Sequence, residues 1–189
     1  MSYRSEVLAR IAESLADGLT PFQAENEAYS SFQNIDTITS LEPRQELKPG
    51  LFIDHQPDSG LIATVGFDEE SNGLHVAVAD RGTAAWFTMN LRLDLHTMRQ
   101  GRYLGLIIRQ KSEGFVNFRI CLRYHTPAGI MDQFFRDVAV TSGGESEQLF
   151  FLRLDTDKLP QAVGTEVLFF FDGRSFDTTF QKIESILVK

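Results

Sequence analysis

Between Trp86 and Leu95 the chain alternates strictly: Phe87, Met89, Leu91, Leu93 and Leu95 fall on one side, and Trp86, Thr88, Asn90, Arg92 and Asp94 on the other. A helix repeats its apolar positions every three or four residues, so a repeat of two predicts a strand with one face in a core and one in water. A second run has the same grammar, with Val116, Phe118, Ile120 and Leu122 interleaved with Asn117, Arg119, Cys121 and Arg123. From Leu51 onward ten strand-like runs follow one another: LFIDHQ, LIATVGF, LHVAVA, AWFTMNLRLDL, YLGLIIRQKS, VNFRICLRY, IMDQFFRDVAV, QLFFLRLD, VLFFF and FDTTFQKIESILV. Ten candidate strands with no long helix between them imply antiparallel pairing in a sandwich or barrel rather than βαβ units. Ser71-Asn72-Gly73 and Asp172-Gly173 carry the residues of tight hairpin turns.

Two of the runs, QLFFLRLD and VLFFF, are apolar on both sides. Their outer faces therefore need a cover, from a neighbouring loop, the N-terminal helix or a partner. The sixteen phenylalanines supply much of the burial, at about 1.5–3 kcal/mol for each side chain fully removed from water.

The first 45 residues read differently. Val7, Leu8, Ile11 and Leu15 form one apolar stripe on a helix over residues 3–16, closed by Asp17-Gly18. AENEAYSSF adds a second short helical stretch, and Pro21, Pro43 and Pro49 interrupt the polar segment around it. The expected organisation is a helical or irregular extension over residues 1–45, packed against the sandwich or a second subunit. It is followed by an all-β antiparallel sandwich over residues 46–189.

A formal net charge of −8 argues against nucleic acid and anionic membrane as partners, because both select basic surfaces. No apolar run approaches the roughly 20 residues that span a bilayer. The N-terminus has charges at Arg4, Glu6, Arg10 and Glu13 where a secretory signal needs an uninterrupted apolar stretch. As written the sequence reads as cytoplasmic, and as extracellular if a leader has been removed. The single cysteine, Cys121, excludes an intrachain disulfide. His55, His75, His96 and His125 are widely spaced and form no HxH or HExxH pair. No nucleophile elbow, phosphate loop or metal motif is present, so no cofactor is expected.

From Trp86 to the C-terminus, the succession AWFTMNLRLDL, GRYLGLIIRQK, FRICLRYHTPAGIMDQFFRDVAV, LFFLRLD and VLFFFDGRSFDTTFQKIESILV resembles the jelly-roll sandwich of galactose-binding-like carbohydrate-binding modules. The likeness lies in strand order and in the close, where an aliphatic-aromatic strand, a short loop and a Phe-Asp strand follow one another. The resemblance implies a sugar-binding surface on a concave sheet face or on loops at one end. It also implies a structural calcium ion held by loop oxygens. Carboxylates suited to that role occur in Phe67-Asp68-Glu69-Glu70 and Asp155-Thr156-Asp157.

The residues themselves point to one binding surface, the polar side of the two clearest strands: Trp86, Asn90, Arg92, Asn117, Arg119 and Arg123. A sugar needs a flat apolar surface for its C–H face and amide or guanidinium groups for its hydroxyls, and this set provides both. A solvated sheet face with one strand-end tryptophan would read the same way. The arginines would favour a carboxylated or phosphorylated ligand through forked hydrogen bonds. The stretch Tyr124-His125-Thr126-Pro127-Ala128-Gly129, with Asp132, adds a candidate rim in which Tyr, His and Asp line a pocket. Cations near Cys121 would lower its pKa, although a small sheet residue is the simpler reading. Asp94 and His96 share a strand face as a surface ion pair.

The sequence thus predicts a non-catalytic module that binds a glycan or other polar small molecule. The alternative is an assembly module, in which the N-terminal helix and the doubly apolar strands form a homo-oligomeric interface. A small sugar-modifying or hydrolytic enzyme would require acids and histidines to converge from distant positions.

Overall fold

The computed structural model describes residues 18–189, so the helix predicted over residues 3–16 lies outside it. Ten strands follow in chain order: β1 (Leu19–Pro21), β2 (Gln45–Lys48), β3 (Leu51–His55), β4 (Ile62–Asp68), β5 (Gly73–Asp80), β6 (Phe87–Leu93), β7 (Tyr103–Thr126), β8 (Gly129–Arg153), β9 (Gly164–Phe171) and β10 (Phe176–Val188). Two short helices, α1 (Gln23–Tyr29) and α2 (Leu95–Met98), and a 3-10 turn at Leu159–Gln161 complete the described chain. No described helix is long and apolar enough to cross a membrane.

All the strand pairs are antiparallel, and they build two layers that share one long hairpin. In the first layer the order is β2-β3-β6-β9, followed by the second half of β7, which pairs with β9 from Phe118 to His125. In the second layer the first half of β7, from Tyr103 to Ser112, pairs with β10, which in turn pairs with β5 and then β4. The strand β8 runs beside β7 through both layers. The runs YLGLIIRQKS and VNFRICLRY are therefore one strand, and so are IMDQFFRDVAV and QLFFLRLD. The intervals between them bend the ladder without ending it. The β7–β8 register shifts between Ser112 and Phe115, and the facing residues Gly143 and Gly144 sit at φ of 88° and 78°. That backbone region strains any residue with a Cβ, so glycine lets β8 follow the turn of β7 from one layer to the other.

Alternation puts one face of each layer in a common core. Phe87, Met89, Leu91 and Leu93 are buried as expected, whereas Leu95 opens α2 and is only partly covered. Phe118 sits at the centre, its ring 5.4 Å from Phe169, 5.2 Å from Phe171 and 5.9 Å from Phe180. Edge-on and tilted contacts of this kind add to the area term. The described part of the N-terminal segment joins this core through the buried side chains of Phe22, Tyr29, Phe32 and Ile35. Asn26 on α1 closes two hydrogen bonds with the backbone of Ser185, donating from Nδ2 to its carbonyl at 2.9 Å and accepting its N–H at 2.8 Å.

Two local expectations are corrected. Ser71-Asn72-Gly73 does join a hairpin, β4 to β5, but Asp172-Gly173 does not. The strands β9 and β10 flank β7 and belong to different layers, so that turn is a crossover. Asp94 does not extend a strand face towards His96; it caps α2, accepting the Thr97 N–H at 2.6 Å, and the hydrogen bonds from Thr97 hold its carboxyl below the usual range. As for the doubly apolar runs, Leu168 is 1% exposed beneath its neighbours. Leu149 and Phe151, on the outer face of the second layer, remain 54% and 47% exposed.

Candidate functional site

The outer face of the first layer gathers Trp86, Asn90, Arg92, Asn117, Arg119, Arg123, His125 and Asp132, but not Tyr124. Cross-strand pairing sets them in rows: Arg92, Glu166, Arg123 and Asp132; then Phe52, Asn90, Leu168, Cys121 and Phe134; then Asp54, Thr88, Phe170, Arg119 and Val138. Trp86 precedes β6 at one end, Asn117 lies two residues before Arg119 on β7, and His125 lies two residues beyond Arg123. The period of two keeps these positions on one side of the sheet, and the pairing register brings them level. Tyr124 has the opposite parity. It is buried in the core, donates its hydroxyl to Gln133 Oε1 at 2.7 Å, and does not line a rim. Burial pushes its hydroxyl up to about 12. The Pro127-Ala128 stretch is the tight turn between β7 and β8.

The middle row forms a floor. Asn90, Leu168 and Cys121 are each at most 1% exposed, because longer side chains in the flanking rows lean over them. Burial pushes the Cys121 thiol up to about 12, opposite to the effect expected from nearby cations. Over this floor a cleft of 280 Å³ is lined by Asp54, Trp86, Thr88, Arg123, Leu168 and Phe170. Farther along the same strands Arg92, His125 and Glu166 border a second hollow of 610 Å³, closed on its other side by Glu25 and Tyr29 of α1.

The arginines are largely engaged with carboxylates of the face itself. Arg123 makes a forked pair with Asp132, Nε to Oδ1 and Nη2 to Oδ2 both at 2.8 Å, and these bonds hold its guanidinium more firmly protonated. Arg44 reaches Glu166 Oε1 at 3.1 Å while its guanidinium lies 4.3 Å from the centre of the Phe52 ring. Arg119 is 3.9 Å from Asp172, to which Asn117 Nδ2 donates at 3.4 Å. Arg92 is exposed and has no ion-pair partner among the described residues.

Three buried polar atoms of this face lack a hydrogen-bond partner among the described residues: Asn90 Oδ1, His125 Nε2 and Glu166 Oε2. The last two lie 3.3 Å apart but are not aligned as a hydrogen bond. Leaving a buried polar atom unpaired costs about 1–3 kcal/mol. Flat apolar surface is provided by Trp86, Phe170 and Phe134. The last two rings are 5.8 Å apart, and Arg119 caps Phe134 with its guanidinium 5.5 Å from the ring centre.

Sequence reasoning missed Arg44, Asp54, Phe134, Glu166 and Phe170. The parity of Glu166, Leu168 and Phe170 was legible within TEVLFFF, but that run's apolar character hid which side faced the cleft. Arg44 lies in an irregular segment at φ 57° and gave no pattern to read. On the acidic loops, Asp68 accepts the Glu70 N–H, and Asp155 Oδ1 accepts the N–H groups of Asp157 and Lys158. Among the described residues no group of three or more His, Cys, Asp or Glu side chains is placed to hold a metal ion.

Two antiparallel layers joined by continuous strands, with a cleft on one outer sheet face, define a jelly-roll β-sandwich of the type found in carbohydrate-binding modules. No family model and no curated protein matches the chain. Among solved structures, the CBM22-1 xylan-binding domain of Xyn10C from Paenibacillus barcinonensis matches with a TM-score of 0.51 at 10% identity, over 84% of this chain and 97% of that one. The CBM22-1-CBM22-2 tandem domain of the same protein matches with a TM-score of 0.53 at 11% identity, over 82% of this chain and 45% of that one. At such identity the likeness is one of fold.

Proposed function

We propose that this protein is a non-catalytic glycan-binding domain that lays an uncharged oligosaccharide along the outer face of the first layer. Trp86 and Phe170 would stack against sugar C–H faces, and Asp54, Thr88 and Arg123 would bond the hydroxyls in the same cleft. Asn90, Arg92, Asn117, Arg119, His125 and Asp132 belong to the same face. Of these, Asn90 and His125, together with Glu166, offer the unpaired polar atoms. The carrying observation is the coincidence, on one sheet face, of an aromatic-lined cleft with three buried polar atoms that lack partners among the described residues. The fold shared with a xylan-binding domain agrees with that reading.

Charge argues for an uncharged ligand over the acidic one that the arginine count suggested. Arg123, the one arginine lining the cleft, is already forked onto Asp132, and Arg44 is bonded to Glu166, so an incoming carboxylate would have to compete with carboxylates already in place. The cleft speaks for binding over hydrolysis: glycoside cleavage uses two carboxyl groups flanking the scissile bond, whereas Asp54 is the one carboxylate among the residues that line this cleft.

Calorimetric titration with xylo- and mixed-linked gluco-oligosaccharides, and with uronic-acid oligomers, tests the proposal. Loss of one stacking ring should weaken binding about tenfold, so Trp86→Ala and Phe170→Ala should each lose that much affinity for the uncharged sugars. The same mixtures should yield no cleavage products. Equal affinity in wild type and both variants would show the cleft to be the wrong place, and tighter binding of uronic-acid oligomers would refute the charge argument.

A further inference from the structure

The 610 Å³ hollow at the end of the ligand face is walled by segments that hydrogen bonds hold in place. On one side stands α1. Tyr29 sets its hydroxyl 3.1 Å from the Gly50 carbonyl and 3.2 Å from that of Arg92, Lys48 Nζ donates to the Ala28 carbonyl at 3.0 Å, and Glu25 Oε1 accepts the Asp94 N–H at 2.6 Å. On the other side is the loop before β9. There the Val163 N–H donates to the His125 carbonyl at 2.7 Å, and Arg99 Nη2 donates to the Ala162 carbonyl at 2.8 Å. The hollow and the 280 Å³ cleft share no lining residue.

The chemistry of the hollow differs from that of the cleft. Glu166 lines it with a side chain only 5% exposed; Arg44 bonds Oε1, and Oε2 has no hydrogen-bond partner among the described residues. His125 Nε2, 3.3 Å from that oxygen, has none either. A carboxylate oxygen only accepts, and an imidazole nitrogen donates or accepts according to its tautomer. Two adjacent hydroxyls on one sugar ring can therefore satisfy both atoms, one donating to Glu166 and the other bonding His125. Ala24, Ala28, Leu95 and Val163 offer apolar wall to the C–H edges of the ring, and no Phe or Trp lines the hollow to stack on it.

Charge narrows the ligand. Glu25, Asp94 and Glu166 set three carboxylates against the one guanidinium of Arg92 among the lining residues, which disfavours an acidic sugar. An ammonium group would have Arg92 as a neighbour. The carboxylates of Glu25 and Asp94 are moreover already engaged, accepting the Asp94 N–H and the N–H and hydroxyl of Thr97.

We infer that this hollow is a second sugar site, which takes one neutral pyranose unit through a vicinal diol held by Glu166 and His125. The inference rests on the glycan-binding reading of the face and adds a unit that the stacking cleft does not hold.

The test is a nuclear magnetic resonance titration of the whole chain with methyl β-xyloside or methyl β-glucoside. Saturable shifts are expected at the Gly164 and Thr165 amides and the His125 ring. The indole N–H of Trp86, the one tryptophan, reports the cleft separately in a parallel titration with a xylo-oligosaccharide. Ala24→Phe and Val163→Phe fill the hollow from opposite walls at exposed positions. Each should abolish the monosaccharide shifts while the Trp86 response to the oligosaccharide remains. His125→Ala should weaken the monosaccharide about fivefold, the worth of one hydrogen bond. Silence in the hollow while Trp86 still responds would overturn the second site and leave the cleft in place, and silence at both would overturn both readings. Stronger shifts with glucuronate or glucosamine would overturn the neutral ligand. Shifts that persist in both filled variants would place the sugar elsewhere and overturn the site.

Discussion

Replacing Arg44 with methionine probes the most unusual electrostatic feature of the candidate face. Glu166 is 4% exposed, and among the described residues its only hydrogen bond from a side chain comes from Arg44, whose own side chain is half exposed. Breaking a fully buried ion pair costs about 3–5 kcal/mol, and exposed pairs contribute about 0–1 kcal/mol. With one partner in each environment, an intermediate loss of about 2 kcal/mol follows. Methionine keeps an apolar stem over Phe52, so the loss reports mainly on the charge. For a domain of this size it corresponds to roughly 4–8 °C in Tm. Urea unfolding of wild type, Arg44→Met, Glu166→Gln and the double variant isolates the coupling. In the Glu166→Gln background the arginine substitution should cost at least about 1 kcal/mol less, since an amide has no buried charge left to strand. A coupling below about 0.3 kcal/mol would contradict the claim that Glu166 depends on Arg44.

Phe118→Ala should destabilise by about 3–5 kcal/mol, because its ring meets Phe169, Phe171 and Phe180 at once; a loss under about 1.5 kcal/mol in urea unfolding would mean that the central cluster is loosely packed. The Cys121 thiol should resist alkylation at pH 8 in the folded protein and react on unfolding. Its pKa is raised from 9.0 to about 12 on folding, so the unfolded chain releases this proton first. Its share of the stability is therefore intact below about pH 9 and lost as pH rises towards about 12, a decline that Cys121→Ala should flatten. Removing residues 1–45, the extension expected from sequence, takes Phe22, Tyr29, Phe32 and Ile35 out of the core. At about 1.5–3 kcal/mol each the loss rivals the net stability of a typical domain, so the remainder should fail to fold cooperatively by circular dichroism and calorimetry.

What the sequence determined alone was local and periodic. Alternation at Phe87–Leu93 and Val116–Tyr124 settled strand identity and which side faced the core, because a period of two leaves no other way to bury those side chains. It also put Trp86, Asn90, Arg92, Asn117, Arg119 and Arg123 on the polar side of their strands, with His125 and Asp132 in a separate candidate rim. Tertiary structure decided what no local pattern encodes. Pairing register set Glu166 between Arg92 and Arg123 and brought Phe134 level with Leu168. An irregular segment carried Arg44 over Phe52 to Glu166. The bend at Gly143-Gly144 merged four apparent strands into two that cross both layers. Each of these depends on which residues meet across large separations in the chain, and the free energy of such meetings belongs to pairs rather than to either residue's neighbourhood in sequence.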